Sequence, residues 1–213
     1  MRYGAIDIGS NAVRLLVKHV FEHRGEPVFI KDALYRVPVR LGEEAFTKGS
    51  FSEAKMKDLL KTMKAFRLLM DVQQVIDYRA YATSAMRTAA NGPELVERIR
   101  READMDIRII SGEEEASVIL QSEVSKTSEG NDRRYLYIDV GGGSTELAFM
   151  HRGQVMASES FKIGTLRLLN DGIGKSDWSA MRNWLDANRP SAKHAVIGIG
   201  SGRQPTHARE RIE

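Results

Sequence analysis

YLYIDVGGGSTELAF, residues 135–149, places three consecutive glycines between two apolar runs. Asp139 lies near the end of the first run, and two hydroxyl residues and a second acid, Glu146, open the next. Glycine in a strand interior costs stability, so three in succession indicate that the bare backbone has a use. A turn of glycine and serine leaves several backbone N–H groups directed the same way, which is an arrangement that binds phosphate. The stretch therefore predicts a strand, a phosphate-binding turn and a second strand.

The same pattern occurs near the N-terminus, in YGAIDIGSNAVRLLV, residues 3–17. Both stretches run tyrosine, apolar residues, an Ile-Asp pair, an apolar residue, glycine, small polar residues and then leucine with further apolar residues. Aligning Asp7 with Asp139 brings the two stretches into register without a gap. The repeat predicts two half-domains, each of which opens with a strand, an acid, a glycine turn and a second strand in a hairpin.

The remaining apolar periodicity indicates further strands and helices along the chain. It indicates strands at 26–41, 74–83 and 106–110, and helices at 52–70, 93–103 and 111–124. Ser52 and Ser111 are the expected N-caps of the first and third of these helices. The polar stretch 125–134 is the expected linker between a first domain at 1–124 and a second domain at 135–213.

Composition excludes several classes of protein. The 213 residues carry a net charge of +3 and no cysteine, so disulfides and thiolate-bound metals are excluded. No apolar run approaches the roughly 20 residues of a membrane span, and the opening residues MRYGAIDIGS show no signal-peptide h-region or cleavage site. The histidines show no metal-ligand spacing, and no arginine-aromatic array indicates specific nucleic-acid binding. We expect a cytoplasmic protein with no membrane partner.

An aspartate directly before a phosphate-binding turn would by itself repel phosphate. It makes sense if a divalent cation lies between them, since Mg²⁺ prefers a few carboxylates together with phosphate oxygens. Two such turns facing each other would place Asp7 and Asp139 around one metal-bound phosphate. Neither turn has the Gly-Lys-Ser/Thr sequence of a P-loop, and neither has the Rossmann fingerprint.

The motifs AIDIGSN and YIDVGGGSTE resemble the phosphate-1 and phosphate-2 motifs of the actin, sugar-kinase and heat-shock-chaperone ATPase superfamily. Within it, DIGSNAVRLLV, ATSAMRTAANG, ISGEEEA and DVGGGSTEL, in that order, resemble the exopolyphosphatase and guanosine-pentaphosphate phosphatase family. The resemblance covers about residues 3–202. It implies an α/β fold of two ribonuclease-H-like domains facing across a cleft, and hydrolysis of terminal phosphoanhydride bonds with Mg²⁺ or Mn²⁺.

The resemblance also implies roles for individual residues. Glu115, the glutamate before the alanine of SGEEEA, is the expected base, and its neighbours Glu113 and Glu114 are not. Arg87 is the expected phosphate clamp. The expected metal or metal-water ligands are Asp7, Asp139 and Glu146. Phosphate-binding residues, through their amides and the hydroxyls of Ser10 and Ser144, are Gly9, Ser10, Asn11, Gly141, Gly142, Gly143, Ser144 and Thr145. Candidate lining residues are Thr83, Ser84 and Asn91.

Three functions stay open on the sequence. The first is a hydrolase that releases terminal phosphate from inorganic polyphosphate or guanosine pentaphosphate, the second a related ATPase or kinase, and the third a non-catalytic phosphate or nucleotide sensor. The family pattern continues with further helices after AVIGIGSG, residues 195–202, whereas this chain ends in the polar tail RQPTHARERIE. We therefore expect an incomplete second domain, whose exposed apolar surface predicts a homodimer or poor solubility.

Overall fold

A computed structural model describes residues 1–118, 132–170, 172–190 and 195–201. The chain divides into two compact units, Met1–Ile110 and Ser111–Glu213. The boundary between the units falls before the domain limit predicted at residue 124. Because residues 125–131 of the predicted linker and the tail 202–213 lie outside the described residues, the predicted domain limits stay a prediction.

The first unit contains a five-stranded sheet. Its elements are β1 (Arg2–Ile8), β2 (Val13–His23), β3 (Glu26–Val37), α1 (Gly42–Ala45), α2 (Glu53–Val72), β4 (Val75–Ala82), α3 (Ser84–Thr88), α4 (Gly92–Ala103) and β5 (Arg108–Ile109). The strand order is β3-β2-β1-β4-β5. The first three strands pair antiparallel, and β4 and β5 extend the sheet in parallel pairing. The predicted hairpin and the three predicted later strands are confirmed, and β3 ends before Pro38 at a sheet edge.

The core of the first unit lies between one face of this sheet and helices α2 and α4. Strand β2 alternates buried Val13 and Leu15 with exposed Arg14, as a half-buried strand does. Helix α2 begins after Ser52, whose Oγ accepts the N–H of Lys55 at 3.2 Å, so the predicted cap is confirmed. Apolar side chains at helical spacing along α2 join the same buried cluster: Met56, Leu59, Leu60, Met63, Phe66 and Met70. In the described ranges, no helix is both long and apolar enough to cross a membrane.

The second unit contains a four-stranded sheet in its described part. Its elements are α5 (described over 112–118), β6 (Arg134–Val140), β7 (Thr145–His151), β8 (Gln154–Phe161), α6 (Thr165–Leu169), α7 (Lys175–Asn188) and β9 (Val196–Ser201). The strand order is β8-β7-β6-β9, with β9 parallel to β6. Helix α7 packs on the sheet through Trp184, whose ring stacks on Phe149 with centroids 5.7 Å apart.

The predicted repeat is confirmed at the level of strand register. In the first unit Asp7 lies opposite Arg14 across the β1–β2 hairpin, and in the second Asp139 lies opposite Glu146 across the β6–β7 hairpin. The alignment of Asp7 with Asp139 also aligns Arg14 with Glu146. The two cross-strand pairs therefore occupy equivalent positions in the two hairpins. In each unit, a third antiparallel strand, a short helix and a parallel strand beside the first follow the hairpin.

Candidate phosphate-binding site

Both predicted glycine turns are tight hairpin turns closed by the same hydrogen bond. In the first turn the N–H of Gly9 donates to the carbonyl of Ala12 at 3.2 Å, and in the second the N–H of Gly141 donates to the carbonyl of Ser144 at 2.9 Å. The alignment of the two sequence stretches relates these four residues as well. The two turns therefore share one backbone design despite their different sequences.

The carbonyl groups of the first turn are held by the backbone leading into α1. The N–H of Gly42 donates to the carbonyl of Ser10 at 2.7 Å, and that of Arg40 donates to the carbonyl of Asn11 at 2.9 Å. The described ranges contain no cis peptide bond, and in a planar trans peptide the N–H points opposite to the C=O. The N–H groups of Asn11 and Ala12 therefore point away from α1, as an anion-binding turn requires.

The second turn is held in the same way by the first turn of α6. The N–H of Thr165 donates to the carbonyl of Gly141 at 3.0 Å, and that of Leu166 donates to the carbonyl of Gly142 at 2.8 Å. By the same peptide geometry, the N–H groups of Gly142 and Gly143 point away from α6. A run of glycines leaves no side chain over these amides, so an anion can approach the backbone directly.

The hydroxyl groups of Ser10 and Thr145 at the turns make hydrogen bonds inside the protein, and Ser144 is buried. Ser10 is buried, and its Oγ lies 2.8 Å from the Oγ of Ser84 on α3, so one serine gives its proton to this hydrogen bond. Thr145 is buried and donates from Oγ1 to the carbonyl of Ile163 at 2.6 Å. The exposed binding capacity of the turns therefore comes mainly from backbone amides, while the predicted hydroxyl donation stays a prediction.

Two carboxylates lie side by side on the second sheet. Asp139 on β6 is directly opposite Glu146 on β7, which is directly opposite Ser160 on β8. Directly opposite residues share one face of a sheet, so these three side chains form a row, the acidic row. Glu146 is only 3% exposed, and its Oε1 accepts the hydroxyl of Ser160 at 2.9 Å. Like charges directly opposite each other destabilise a sheet, and a bound cation would remove that cost.

The first sheet carries a different set of side chains in the same place. Asp7 on β1 lies opposite Arg14 on β2, which lies opposite Arg36 on β3, and we call these residues the basic row. An Nη atom of Arg14 lies 3.1 Å from Oδ2 of Asp7, and both side chains are about half exposed, 52% and 47%. The carboxylate before the first turn is therefore already paired with a cation.

The two carboxylates of the acidic row suit a magnesium ion whose other ligands come from a substrate and from water. In the ranges that the structure describes, no group of three or more histidine, aspartate or glutamate side chains could hold a metal ion. Mg²⁺ is commonly bound by one or two carboxylates together with phosphate oxygens and water, and Asp139 with Glu146 supply that number. Asp7 belongs to the other compact unit, so the predicted three-carboxylate set stays a prediction.

The predicted arginine clamp lies on a helix attached to the first turn. Thr83, at the start of α3, donates its N–H to the carbonyl of Ile8 at 3.2 Å, and Ser84 follows with its bond to Ser10. Arg87 lies in the last turn of this short helix, is exposed and donates from its guanidinium to the carbonyl of Ile110. This fixes the base of α3 beside the first turn, whereas the contact between Arg87 and phosphate stays a prediction.

Asn91, a candidate lining residue, has a structural task. Its side-chain amide donates to the carbonyl of Phe51 at 2.9 Å and accepts the N–H of the same residue at 2.8 Å. This paired contact ties the loop before α2 to the start of α4, which explains an asparagine here without a ligand.

The three glutamates at the start of α5 have different surroundings. Glu114 accepts the N–H of Ser111 at 3.0 Å through its carboxylate, and Ser111 Oγ accepts the N–H of Glu114 at 3.1 Å, which is a capping box. The predicted cap at Ser111 is therefore confirmed. Glu113 is exposed, whereas Glu115 is half-buried and its Oε2 is shielded from solvent. Its role as a base stays a prediction.

Three residues at the second turn were missed by the sequence reasoning. A Cβ on Gly164 would lie 2.5 Å from the carbonyl oxygen of Gly142, so no larger residue fits behind the turn. Arg167 donates from Nε to the carbonyl of Gly143 at 2.8 Å, and Ser160 supports Glu146 as described above. Their partners lie 14 to 24 residues away in the chain, which periodicity does not connect. One signal was available in the sequence: Gly164 lies directly before α6 at a position where a capping side chain is usual, which indicates a close backbone contact.

Comparison with known proteins finds relatives that are named exopolyphosphatase and guanosine-5'-triphosphate,3'-diphosphate pyrophosphatase. Exopolyphosphatase 1 of Mycobacterium tuberculosis is 28% identical over 207 residues, which cover 94% of this chain and 59% of that enzyme. Guanosine-5'-triphosphate,3'-diphosphate pyrophosphatase of Aeromonas hydrophila is 32% identical over 180 residues, which cover 84% of this chain and 35% of that enzyme. The chain thus spans about three fifths of the mycobacterial relative and about one third of the Aeromonas relative.

Solved structures agree with this assignment. An exopolyphosphatase from Cytophaga hutchinsonii superimposes with a TM-score of 0.74 and 29% identity, covering 93% of this chain and 66% of that chain. A Ppx/GppA protein from Aquifex aeolicus gives a TM-score of 0.70 and 25% identity, covering 94% of this chain and 66% of that chain. The sequence pattern of the Ppx/GppA phosphatase family matches residues 33–196, and this chain belongs to that family.

Proposed function

We propose that this chain is a hydrolase that releases terminal phosphate from inorganic polyphosphate or guanosine pentaphosphate. The observation that carries the proposal is the second turn, where amides of consecutive glycines face away from α6 beside the carboxylates of Asp139 and Glu146. Amides for phosphate oxygens and carboxylates for a divalent cation are two of the needs of phosphoanhydride hydrolysis. The names of the mycobacterial and Aeromonas relatives support these two substrates.

The proposal includes Mg²⁺ or Mn²⁺ at the acidic row, with Asp7 as a further ligand or a ligand of its water. A bound ion would supply positive charge against the phosphate oxygens. Asp139 and Glu146 would hold it, and the hydroxyl of Ser160 keeps one oxygen of Glu146 directed. The two units would be ribonuclease-H-like domains facing across a cleft, which would bring both glycine turns to one substrate.

The remaining roles fall to Glu115 and Arg87. A half-buried carboxylate at the start of α5 is suited to hold a water and accept its proton, as a positioned base does. The fork of Arg87 would bind phosphate oxygens in two places, which a lysine does not reproduce. Both roles rest on the family motifs as well as on these positions. A cytoplasmic location and a homodimer also belong to the proposal, and light scattering would test the homodimer.

Phosphate release from long-chain polyphosphate with Mg²⁺ tests the function. We expect Glu115→Gln to lower the rate by about 100-fold with binding retained, since a positioned base contributes about that much. Glu113→Gln is the matched control, because it removes the same charge from an exposed position two residues away. Equal rates for wild type and Glu115→Gln would discard the base and keep the hydrolase.

Other outcomes would favour the remaining functions. Transfer of phosphate to a second substrate, in place of release to water, would indicate a kinase. Retained phosphate binding without turnover on polyphosphate, guanosine pentaphosphate or ATP, unchanged by Glu115→Ala, would indicate a sensor. Either result would overturn the proposed hydrolase.

A further inference from the structure

The second glycine turn has an anchor made by a side chain. The first turn has two carbonyls held by backbone N–H groups, and the second has its first two carbonyls held in the same way. The third carbonyl, that of Gly143, accepts a hydrogen bond from Nε of Arg167 at 2.8 Å. Arg167 lies on α6 and is half-buried, so this charged side chain is ordered against the turn.

We propose that Arg167 is a positioning residue of the phosphate-binding turn, acting through the carbonyl of Gly143. The inference rests on the proposed function, because it assumes that this turn receives phosphate. Hydrogen bonds with a charged donor are about twice as strong as neutral ones, so this contact restrains the peptide between Gly143 and Ser144 more than a neutral hydrogen bond would.

The restraint reaches the phosphate side by peptide geometry. In a trans peptide the N–H of Ser144 points opposite to the carbonyl of Gly143. Holding that carbonyl toward α6 therefore directs the N–H of Ser144 to the same side as the N–H groups of Gly142 and Gly143. Glycine backbone otherwise visits both signs of φ readily, so without the anchor this peptide would rotate among several orientations.

The geometry separates a positioning role from a charge role. The donor atom is Nε, which is separated from Cα by the same number of bonds as Nε2 of a glutamine. Arg167→Gln would keep a donor at this atom and remove the charge. Arg167→Lys would keep the charge and place a carbon at this atom. A positioning role therefore predicts that Arg167→Gln retains phosphate binding and Arg167→Lys loses it, whereas a charge role predicts the reverse.

The experiment measures tripolyphosphate binding by calorimetry, and kcat and KM for phosphate release, in wild type and three variants. We expect Arg167→Ala to weaken binding about tenfold and to raise KM more than it lowers kcat. Arg167→Gln should recover most of that loss, and Arg167→Lys should not. Amide hydrogen exchange over residues 142–145 should accelerate in Arg167→Ala and Arg167→Lys but not in Arg167→Gln.

Arg182→Ala is the matched control, because it removes the same charge from an exposed position on α7. Recovery by lysine but not by glutamine would overturn the inference in favour of a direct charge effect. If the wild type binds tripolyphosphate and Arg167→Ala binds it equally well, the inference about Arg167 is overturned and the proposed function stands. If the wild type neither binds nor cleaves tripolyphosphate, both the inference and the proposed function are overturned. If Arg167→Ala does not fold, the tripolyphosphate affinities of Arg167→Gln and Arg167→Lys distinguish the positioning role from the charge role.

Discussion

The acidic row and the basic row occupy the same place in two copies of one backbone design. In the first unit, the residue opposite the turn's aspartate is Arg14, and in the second it is Glu146. Strand register, turn length and the closing hydrogen bond are the same in both hairpins. One cross-strand position therefore decides whether the aspartate before a glycine turn lies opposite a cationic side chain or opposite a second carboxylate.

Burial sharpens this contrast. Asp7 and Arg14 are about half exposed, so water screens their attraction, whereas Glu146 is 3% exposed. A carboxylate buried next to another carboxylate is costly unless a cation or a proton accompanies it. The proposed divalent ion would therefore be held mainly by carboxylates of the second unit.

The largest expected effect comes from removing a charge from the acidic row. Glu146→Gln should weaken Mn²⁺ binding about 100-fold, because a carboxylate oxygen that could bind the ion becomes part of a neutral amide. Without a divalent ion, the same substitution should leave the melting temperature unchanged or raise it, since the repulsion from Asp139 is removed. Calorimetric titration and thermal unfolding measure the two effects.

Glu159→Gln is the control for this substitution, because Glu159 is the neighbour of Ser160 on β8 and points to the opposite face of the sheet. An unchanged Mn²⁺ affinity in Glu146→Gln would show that the acidic row is not the cation site.

A second substitution tests whether the second turn depends on its support from α6. Gly164→Ala should lower the free energy of unfolding by about 2 kcal/mol, because its Cβ would lie 2.5 Å from the carbonyl oxygen of Gly142 and the turn must shift. Gly198→Ala on β9 is the matched control, since nothing lies within 4 Å of its Cβ. Urea unfolding compares them, and equal stability of the two variants would contradict the close approach.

A third substitution tests the buried side of the acidic row. Ser160→Ala should cost about 1.5 kcal/mol in urea unfolding without a divalent ion, because Glu146 loses a donor to a buried charged group. Ser158→Ala, two residues earlier on the same strand, is the control. A loss no greater than that of the control would mean that water replaces the Ser160 hydroxyl.

The smallest effect is expected in the basic row. Arg14→Gln should change the free energy of unfolding by less than about 1 kcal/mol, because its ion pair with Asp7 is half exposed. The difference from wild type should shrink in about 1 M salt, where exposed charges are screened. Arg36→Gln serves as the reference within the same row. If Arg14→Gln lowered the free energy of unfolding by much more than exposed ion pairs contribute, and if salt did not reduce the effect, the contrast between the two rows would be contradicted.

Local sequence was sufficient for much of the fold. Both glycine turns, the caps at Ser52 and Ser111 and the periodicity of α2 depend on residues close together in the chain, and all were predicted correctly. The repeat correctly predicted that Asp7 and Asp139 hold equivalent places. These features depend on backbone conformation and near neighbours, which composition and spacing encode directly.

The supporting contacts of the site could not be predicted in this way. Gly164, Arg167 and Ser160 act on residues of another element, and only the place of Gly164 directly before a helix gives a local signal for any of the three. Asn91 shows the opposite error. The family motif made it a candidate lining residue, but its side chain binds the backbone N–H and carbonyl of Phe51. Side-chain partners across elements depend on how the elements pack, and a single sequence records that only indirectly.

The strand order also sets a sequence of events during folding. Each glycine turn is the tip of a hairpin whose strands are adjacent in the chain, so it can form within microseconds. The parallel partners come much later: Asp7 pairs with Tyr81, and Asp139 pairs with Ser201. Closing these long loops carries an entropic cost that slows folding. The hairpins can therefore serve as the early template of each sheet, with their tips already bent before α1 and α6 dock behind them.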